Sequence, residues 1–276
     1  MSRRILCALL SLLLLLGAWP ALAQEPTPIV PLTPEAVPVP NVGQHHYLLV
    51  SYDEFKNTDG LLLVTLDVSA KRILCTSISR EFLVSRPDGG IGRITYIAKK
   101  YSPEALCEVI STHFGVKVEK YYLTSFEMVD EMIDQLGGIT LTIDDAAARY
   151  LRVNYLIPSY YTKPKMAGAG TYWFCGRAAI LYMRMRKGVG GEDGRTERVR
   201  GVFATFVDQY RDITLAQALD LLEVALANSY GTNMTTADFL EAVGYCMELR
   251  GLNVEGFQLP TADRMSPIPY AGQQTP

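Results

Sequence analysis

Short apolar runs recur along the chain at Tyr47–Ser51, Leu61–Leu66 and Ile73–Ile78, each the length of a buried strand. Asp53 and Asp59 fall in the connection between the first two. Ser102-Pro103-Glu104 places a hydroxyl N-cap and a first-turn proline ahead of Leu106, Val109, Ile110 and Phe114, so a helix starts there and Gly115 stops it. The pattern next predicts a strand around Val116–Leu123, a helix from Phe126 to Leu136 closed by Gly137 and Gly138, and a strand at Ile139–Ile143. Residues 176–183, 213–228 and 235–249 read as helices, and a last strand is expected at Val254–Leu259. Strands alternating with helices predict a layered α/β domain.

The segment from Tyr182 to Arg198 breaks this rhythm, packing four arginines around a glycine-rich turn. Met183, Arg184, Met185 and Arg186 alternate as in a strand, which would project Arg184 and Arg186 from one face. A helix is then expected near Arg195, with Val199, Val202, Phe203, Phe206, Val207 and Tyr210 forming a core-facing stripe. Arg195 falls on that stripe and Arg198 at its edge. An inward guanidinium at a helix N-terminus requires an anion, because unpaired burial costs several kcal/mol and the first free N–H groups favour the same ligand. Ser79-Arg80-Glu81 and Arg93 add charge at strand ends, where ligands dock in α/β sheets. If these segments converge, their carboxylates suit magnesium, which keeps substrate phosphates among its ligands. Up to six guanidiniums would clamp phosphate oxygens and take up transition-state charge. The competing reading is a set of structural salt bridges.

At 276 residues and 49% hydrophobic content the chain can build one large core. Residues 1–23 are read as a signal peptide: Arg3 and Arg4 precede the apolar run Ile5–Leu16, and Ala21-Leu22-Ala23 forms a cleavage site. An uncleaved membrane anchor is the alternative. Six prolines between residues 24 and 42 suit an extended linker reaching residue 43, followed by a folded domain over 44–260 and a flexible tail over 261–276. A net charge of −3 argues against nucleic acid as a partner, so the arginines are a local device. Cys75, Cys107, Cys175 and Cys246 form no CxxC pair and are expected as free thiols, with Cys75, Cys107 and Cys246 buried among apolar neighbours. His45, His46 and His113 lack zinc spacing.

Read together, Leu48–Asp53 (LLVSYD), Asn57-Thr58-Asp59, Ser77–Glu81 (SISRE), Val129–Gly138 (VDEMIDQLGG), Gly176–Arg186 and Gly194–Arg198 (GRTER) resemble, in order, the LytR-CpsA-Psr family. The resemblance runs from about Tyr47 to Arg211. It implies a layered α-β-α domain with a central mixed sheet and a hydrophobic tunnel for a polyprenyl chain, at the outer face of the cytoplasmic membrane. It also implies a transferase that moves a glycopolymer from a polyprenyl-pyrophosphate carrier onto peptidoglycan, with magnesium at the pyrophosphate. By that resemblance Arg80, Arg195 and Arg198 would be catalytic, while Arg93, Arg184, Arg186 and Glu81 would bind pyrophosphate. Asp53 and Asp59 would serve the metal together with Glu192 or Asp193, whose register is ambiguous by one. The chain departs from the family pattern at Asn57 (usually Arg), at Glu81 in Ser79-Arg80-Glu81 (usually Pro-Arg-Asp), at Arg93-Ile94-Thr95 (usually Lys-Ile-Asn) and at Val199 (usually Gln). Those departures keep two alternatives open: a non-catalytic binder of polyprenyl phosphate or wall polymer, and a polyprenyl-pyrophosphate glycan hydrolase.

Overall fold

The computed structural model describes residues 41–210, 212, 214–249, 251–261, 268–270 and 273–275. The expected signal peptide and nearly all of the expected linker lie outside the described residues. The fold already engages Asn41, whose side-chain amide donates to the Lys117 carbonyl at 2.8 Å. Among the described residues no helix is long and apolar enough to cross a membrane.

A six-stranded sheet forms the centre, built from β1 (Gln44–Tyr52), β2 (Thr58–Asp67), β3 (Arg72–Ile78), β6 (Lys120–Ser125), β10 (Gly231–Thr232) and β11 (Val254–Leu259). Its order is β10-β6-β1-β2-β3-β11. β1–β2 and β2–β3 pair antiparallel, whereas β1–β6 and β3–β11 are parallel, so the sheet is mixed. Nine of the ten β2 residues are buried, as expected for a strand covered on both faces. Leu48, Val50, Leu61 and Leu63 point to one side, where they pack on Leu106 and Ile110 of α2 (Pro103–Phe114), which follows the short α1 (Ile97–Lys100). Leu62, Val64, Leu66, Ile73 and Cys75 point to the other side, toward Phe203 and Val207 of α6 (Gly191–Gln209) and Tyr245 of α8 (Thr236–Glu248). Helices therefore cover both faces and the α-β-α layering is present.

A second core lies beside the sheet. It joins α3 (Phe126–Gln135), α4 (Asp145–Val153) and α5 (Gly176–Arg184) to the three-stranded sheet β7-β9-β8, made of Ile139–Ile143, Gly170–Phe174 and Thr162–Lys163. α7 (Leu215–Ala227) is the remaining α-helix among the described residues, and a hairpin, β4 (Leu83–Ser85) with β5 (Ile91–Arg93), precedes α1.

The local signals read from the sequence hold where they are short-range. Ser102 Oγ accepts from the Ala105 N–H, Pro103 opens α2, and Gly115 closes it at φ 70°, a conformation that costs glycine little. The alternation at Met183–Arg186 does not make a strand: α5 runs to Arg184 and the chain turns extended at Met185. Two Met-Arg pairs are too short a window to fix a period, and the helix begun at Gly176 simply propagates through them. α6 starts at Gly191, one turn before the predicted start, and β6 begins at Lys120 rather than Val116. In the tail expected to be flexible, Ile268–Tyr270 and Gln273–Thr275 pair antiparallel.

Candidate functional site

β2 and β3 run antiparallel with Leu62 opposite Ser77, so the start of β2 and the end of β3 share one edge. That register brings Asp59 to Arg80, whose Nη1 donates to Asp59 Oδ1 at 2.5 Å. Near the N-terminal end of α6, Arg195 donates through Nη2 to the Asp59 carbonyl at 2.9 Å, and its Nη1 lies 3.7 Å from Asp59 Oδ2. Gly190, at φ 90°, is the N-cap that turns the chain into this helix. Arg186 Nη2 stands 3.8 Å from Asp59 Oδ1. The β4–β5 pairing sets Arg93 beside Glu81, Nε to Oε2 3.0 Å, and Glu81 also lies 3.5 Å from Arg80 Nε.

Four guanidiniums thus meet around the carboxylates of Asp59 and Glu81. Side-chain exposure rises from 4% at Arg195 and 10% at Arg93 to 27% at Arg80 and 43% at Arg186, so the cluster grades from a buried floor to an open rim. Guanidiniums gathered this close, partly out of water, create a local field that favours a polyanion. Planar guanidiniums would meet phosphate oxygens two at a time.

The remaining predicted residues have other partners. Arg198 turns away from Asp59: Nε donates to the Tyr182 carbonyl at 3.1 Å, Nη1 to the Val189 carbonyl at 2.8 Å, and Nη2 to the Met185 carbonyl. Tyr182 and Met185 are at the C-terminal end of α5, so Arg198 caps that helix with a cation and ties down the loop carrying Arg186. Burial lowers its pKa from the usual arginine range. Three of its five N–H donors thus go to backbone, so the structure places Arg198, read from sequence as catalytic, on carbonyl oxygens rather than on Asp59. Arg184 is exposed and sits with its guanidinium carbon 5.0 Å from the centroid of the Phe126 ring.

Asp53 accepts from the N–H groups of Phe55 and Asn57 and from the Asn57 side chain at 2.8–3.0 Å. Burial pushes its pKa up, but those Asn57 and Phe55 hydrogen bonds outweigh it and hold the carboxyl below its ordinary value. Lys99 tethers this turn through the Phe55 carbonyl at 2.7 Å and Asn57 Oδ1 at 3.1 Å. Asp193 is exposed and accepts from Gln258 Nε2 at 2.9 Å, while the Glu192 side chain is outside the described residues. Among the described residues no group of three or more His, Cys, Asp or Glu could hold a metal ion.

Beside the cluster opens an apolar cavity of about 390 Å³, with Asp59 and Arg195 in one part of its wall and Leu49, Leu62, Phe203 and Phe206 in another. A neighbouring cavity of about 800 Å³ lies among α6, α7 and α8, lined by Leu221, Leu222 and Val243. The two share Met132, Phe206, Ala225, Phe239, Ala242 and Cys246, so they lie side by side as a channel-like apolar region. The inward stripe of α6 had announced its wall; the contribution of α7 and α8 had no sequence signal beyond their own apolar faces. Cys246, expected to be buried, is solvent-accessible in the wall of both cavities, and the protein surrounding it pushes its thiol pKa up to about 11. Cys75 and Cys107 are buried and free, and Cys175 is partly buried and free. A channel of this kind, ending at guanidiniums, fits a long apolar molecule with a polyanionic head.

The model of the LytR_cpsA_psr family matches residues 45–275. The chain belongs to this family. Among curated LytR_cpsA_psr relatives, the polyisoprenyl-teichoic acid–peptidoglycan teichoic acid transferase TagV of Bacillus subtilis is 24% identical over 187 residues, 66% of this chain and 46% of TagV. Biofilm regulatory protein A of Streptococcus mutans is 23% identical, over 71% of this chain and 50% of that protein. The chain thus spans about half the length of these two relatives. Its fold is shared with TagT bound to LIIa-WTA, at TM-score 0.67 and 19% identity over 86% of this chain and 85% of that one. It is shared as well with TagT carrying octaprenyl pyrophosphate, at TM-score 0.63 and 18% identity over 86% and 84%.

Proposed function

We propose that this LytR_cpsA_psr protein is an extracytoplasmic phosphotransferase that moves a glycopolymer from a polyprenyl-pyrophosphate carrier onto peptidoglycan. The observation that carries the reading is the cluster of Arg80, Arg93, Arg186 and Arg195 at the polar part of the apolar channel. The polyprenyl chain would fill the channel and the pyrophosphate would meet the guanidiniums. A sugar hydroxyl of peptidoglycan attacks the glycan-side phosphorus, the bond from that phosphorus to the bridging oxygen breaks, and polyprenyl phosphate departs with the bridging oxygen while the hydroxyl proton passes to a phosphate oxygen or solvent. Arg80 and Arg195 stabilise the charge growing on that leaving group, an electrostatic role that preorganised donors perform without reorganisation.

Magnesium fits the donor set in the form that keeps phosphate oxygens and water as most of its ligands, with one or two protein carboxylates. Asp59 would hold it, with Asp53 as a second donor from the adjoining turn, and the ion would neutralise pyrophosphate charge. A second reading, a lipid-binding protein without turnover, is favoured by one observation. Asp59 and Glu81 are both ion-paired and Asp53 is bound into its own turn, so none of the three is poised as a base.

The test is incubation of the protein with magnesium, a polyprenyl-pyrophosphate-linked oligosaccharide and peptidoglycan fragments, followed by mass spectrometry. Polyprenyl phosphate together with a glycan–peptidoglycan adduct is the expected result. Release without adduct indicates hydrolysis, and binding without release indicates the non-catalytic protein.

A further inference from the structure

Two hydroxyls in the channel have no work in the fold. Ser77 is 3% exposed, and its Oγ has no hydrogen-bond partner among the described residues; the buried Oγ of Ser51 has none either. Both residues line the cavity that includes Asp59 and Arg195. Ser51 lies opposite Gly60, and Ser77 lies opposite Leu62, two positions along β2, so all four share the channel-facing side of the sheet. Gly60 is bare strand backbone between them: a Cβ built there would meet, within 4 Å, only the Ser51 Cβ at 3.3 Å. Glycine inside a strand often marks the close approach of a ligand. Thr124, on the same cavity wall, differs because its hydroxyl already bonds the Asn228 carbonyl at 3.2 Å.

We propose that Ser77 and Ser51, flanking the pit at Gly60 on strands two spacings apart, seat the pyrophosphate group of a prenyl pyrophosphate, each donating its hydroxyl to an oxygen of a different phosphate. The inference rests on the proposed function and assigns these serines as positioning residues within it. A buried hydroxyl left without a partner destabilises the empty protein, and a phosphate oxygen supplies the missing acceptor with a charge-assisted bond. The seat adjoins the floor of the arginine cluster, since Asp59, the residue before Gly60, holds Arg195 through its carbonyl. The chain's first carbons would then pass toward Phe203 and Phe206.

The experiment measures binding of geranylgeranyl pyrophosphate and of geranylgeraniol to the full chain, and melting without ligand, for wild type, Ser77→Ala, Ser51→Ala and Gly60→Ala. Ser77→Ala is expected to weaken the pyrophosphate by about tenfold, the scale of one charge-assisted hydrogen bond. Its affinity for the alcohol should be unchanged and its melting temperature equal or higher. Ser51→Ala should behave in the same way. Gly60→Ala, which fills the pit while keeping a strand-compatible residue, should also lose pyrophosphate affinity selectively. Unchanged pyrophosphate binding in the serine variants overturns the seat, as does a lowered melting temperature with equal loss for both ligands. Failure of wild type to bind either prenyl compound overturns the proposed function itself, and the seat with it.

Discussion

Replacing Arg198 by alanine separates a residue that builds the site from those that form it. Its guanidinium makes three hydrogen bonds to the carbonyls of Tyr182, Met185 and Val189. Hydrogen bonds from a charged donor contribute about 1.5–3 kcal/mol each when one partner is removed. They do not add fully, because water reaches the surface loop once the side chain is gone, so a loss of about 3 kcal/mol is expected. For a domain of this size each kcal/mol moves the melting temperature by about 2–4 °C, giving a drop of about 6–12 °C. Arg198→Lys keeps the cation near the end of α5 but only one bond, and should recover part of the loss. Thermal and urea unfolding followed by circular dichroism give the stability, and prenyl pyrophosphate binding well below the melting point gives the site. Arg198→Ala should lose less affinity than Arg80→Ala while folded, that loss coming from a freer Arg186 loop. Arg80→Ala should do the opposite, because Asp59 retains Arg195 and Arg186: little change in melting, with affinity reduced at least about tenfold for a lost bidentate partner. An Arg198→Ala protein that melts like wild type and no longer binds would refute the assignment and return Arg198 to the ligand.

Three further outcomes are expected. Burial, then the neighbouring His45, hold the His46 pKa below its ordinary value near 6.5. The unfolded chain therefore takes up the proton first: stability from this residue is complete above about pH 6.5 and falls as pH drops toward the lower folded pKa. His46→Gln should flatten urea midpoints measured between pH 7.5 and 5, and an unchanged slope would count against it. Cys246, with its thiol at about 11, should alkylate slowly at neutral pH, faster in alkali, and be protected by prenyl pyrophosphate; peptide mapping that shows no protection would place the lipid outside the channel. Magnesium should strengthen pyrophosphate binding in wild type and do so less in Asp59→Asn, whereas equal enhancement in both would remove Asp59 as its ligand.

What the sequence determined alone was whatever depends on neighbours along the chain. The Ser102 cap and the Gly115 stop act within one turn, and the 3.6-residue stripe that turned Arg195 inward is a property of the helix itself. Fold class followed from the same local periods, and the ordered motifs pointed to the family. Convergence was another matter. Asp59 and Arg195 are 136 positions apart and meet because β2–β3 register and the packing of α6 bring their ends to one edge. Arg198 is only three residues beyond Arg195, yet tertiary structure gave it a different partner: the unsatisfied carbonyls ending α5 lay within reach of its guanidinium. A helical face specifies direction to within a turn, whereas the group a long side chain finally pairs with depends on which backbone the fold leaves open beside it. Ser51 and Ser77 show the same division: their inward parity is written in the strands, but that no partner waits for them is decided by the cavity the packed helices leave.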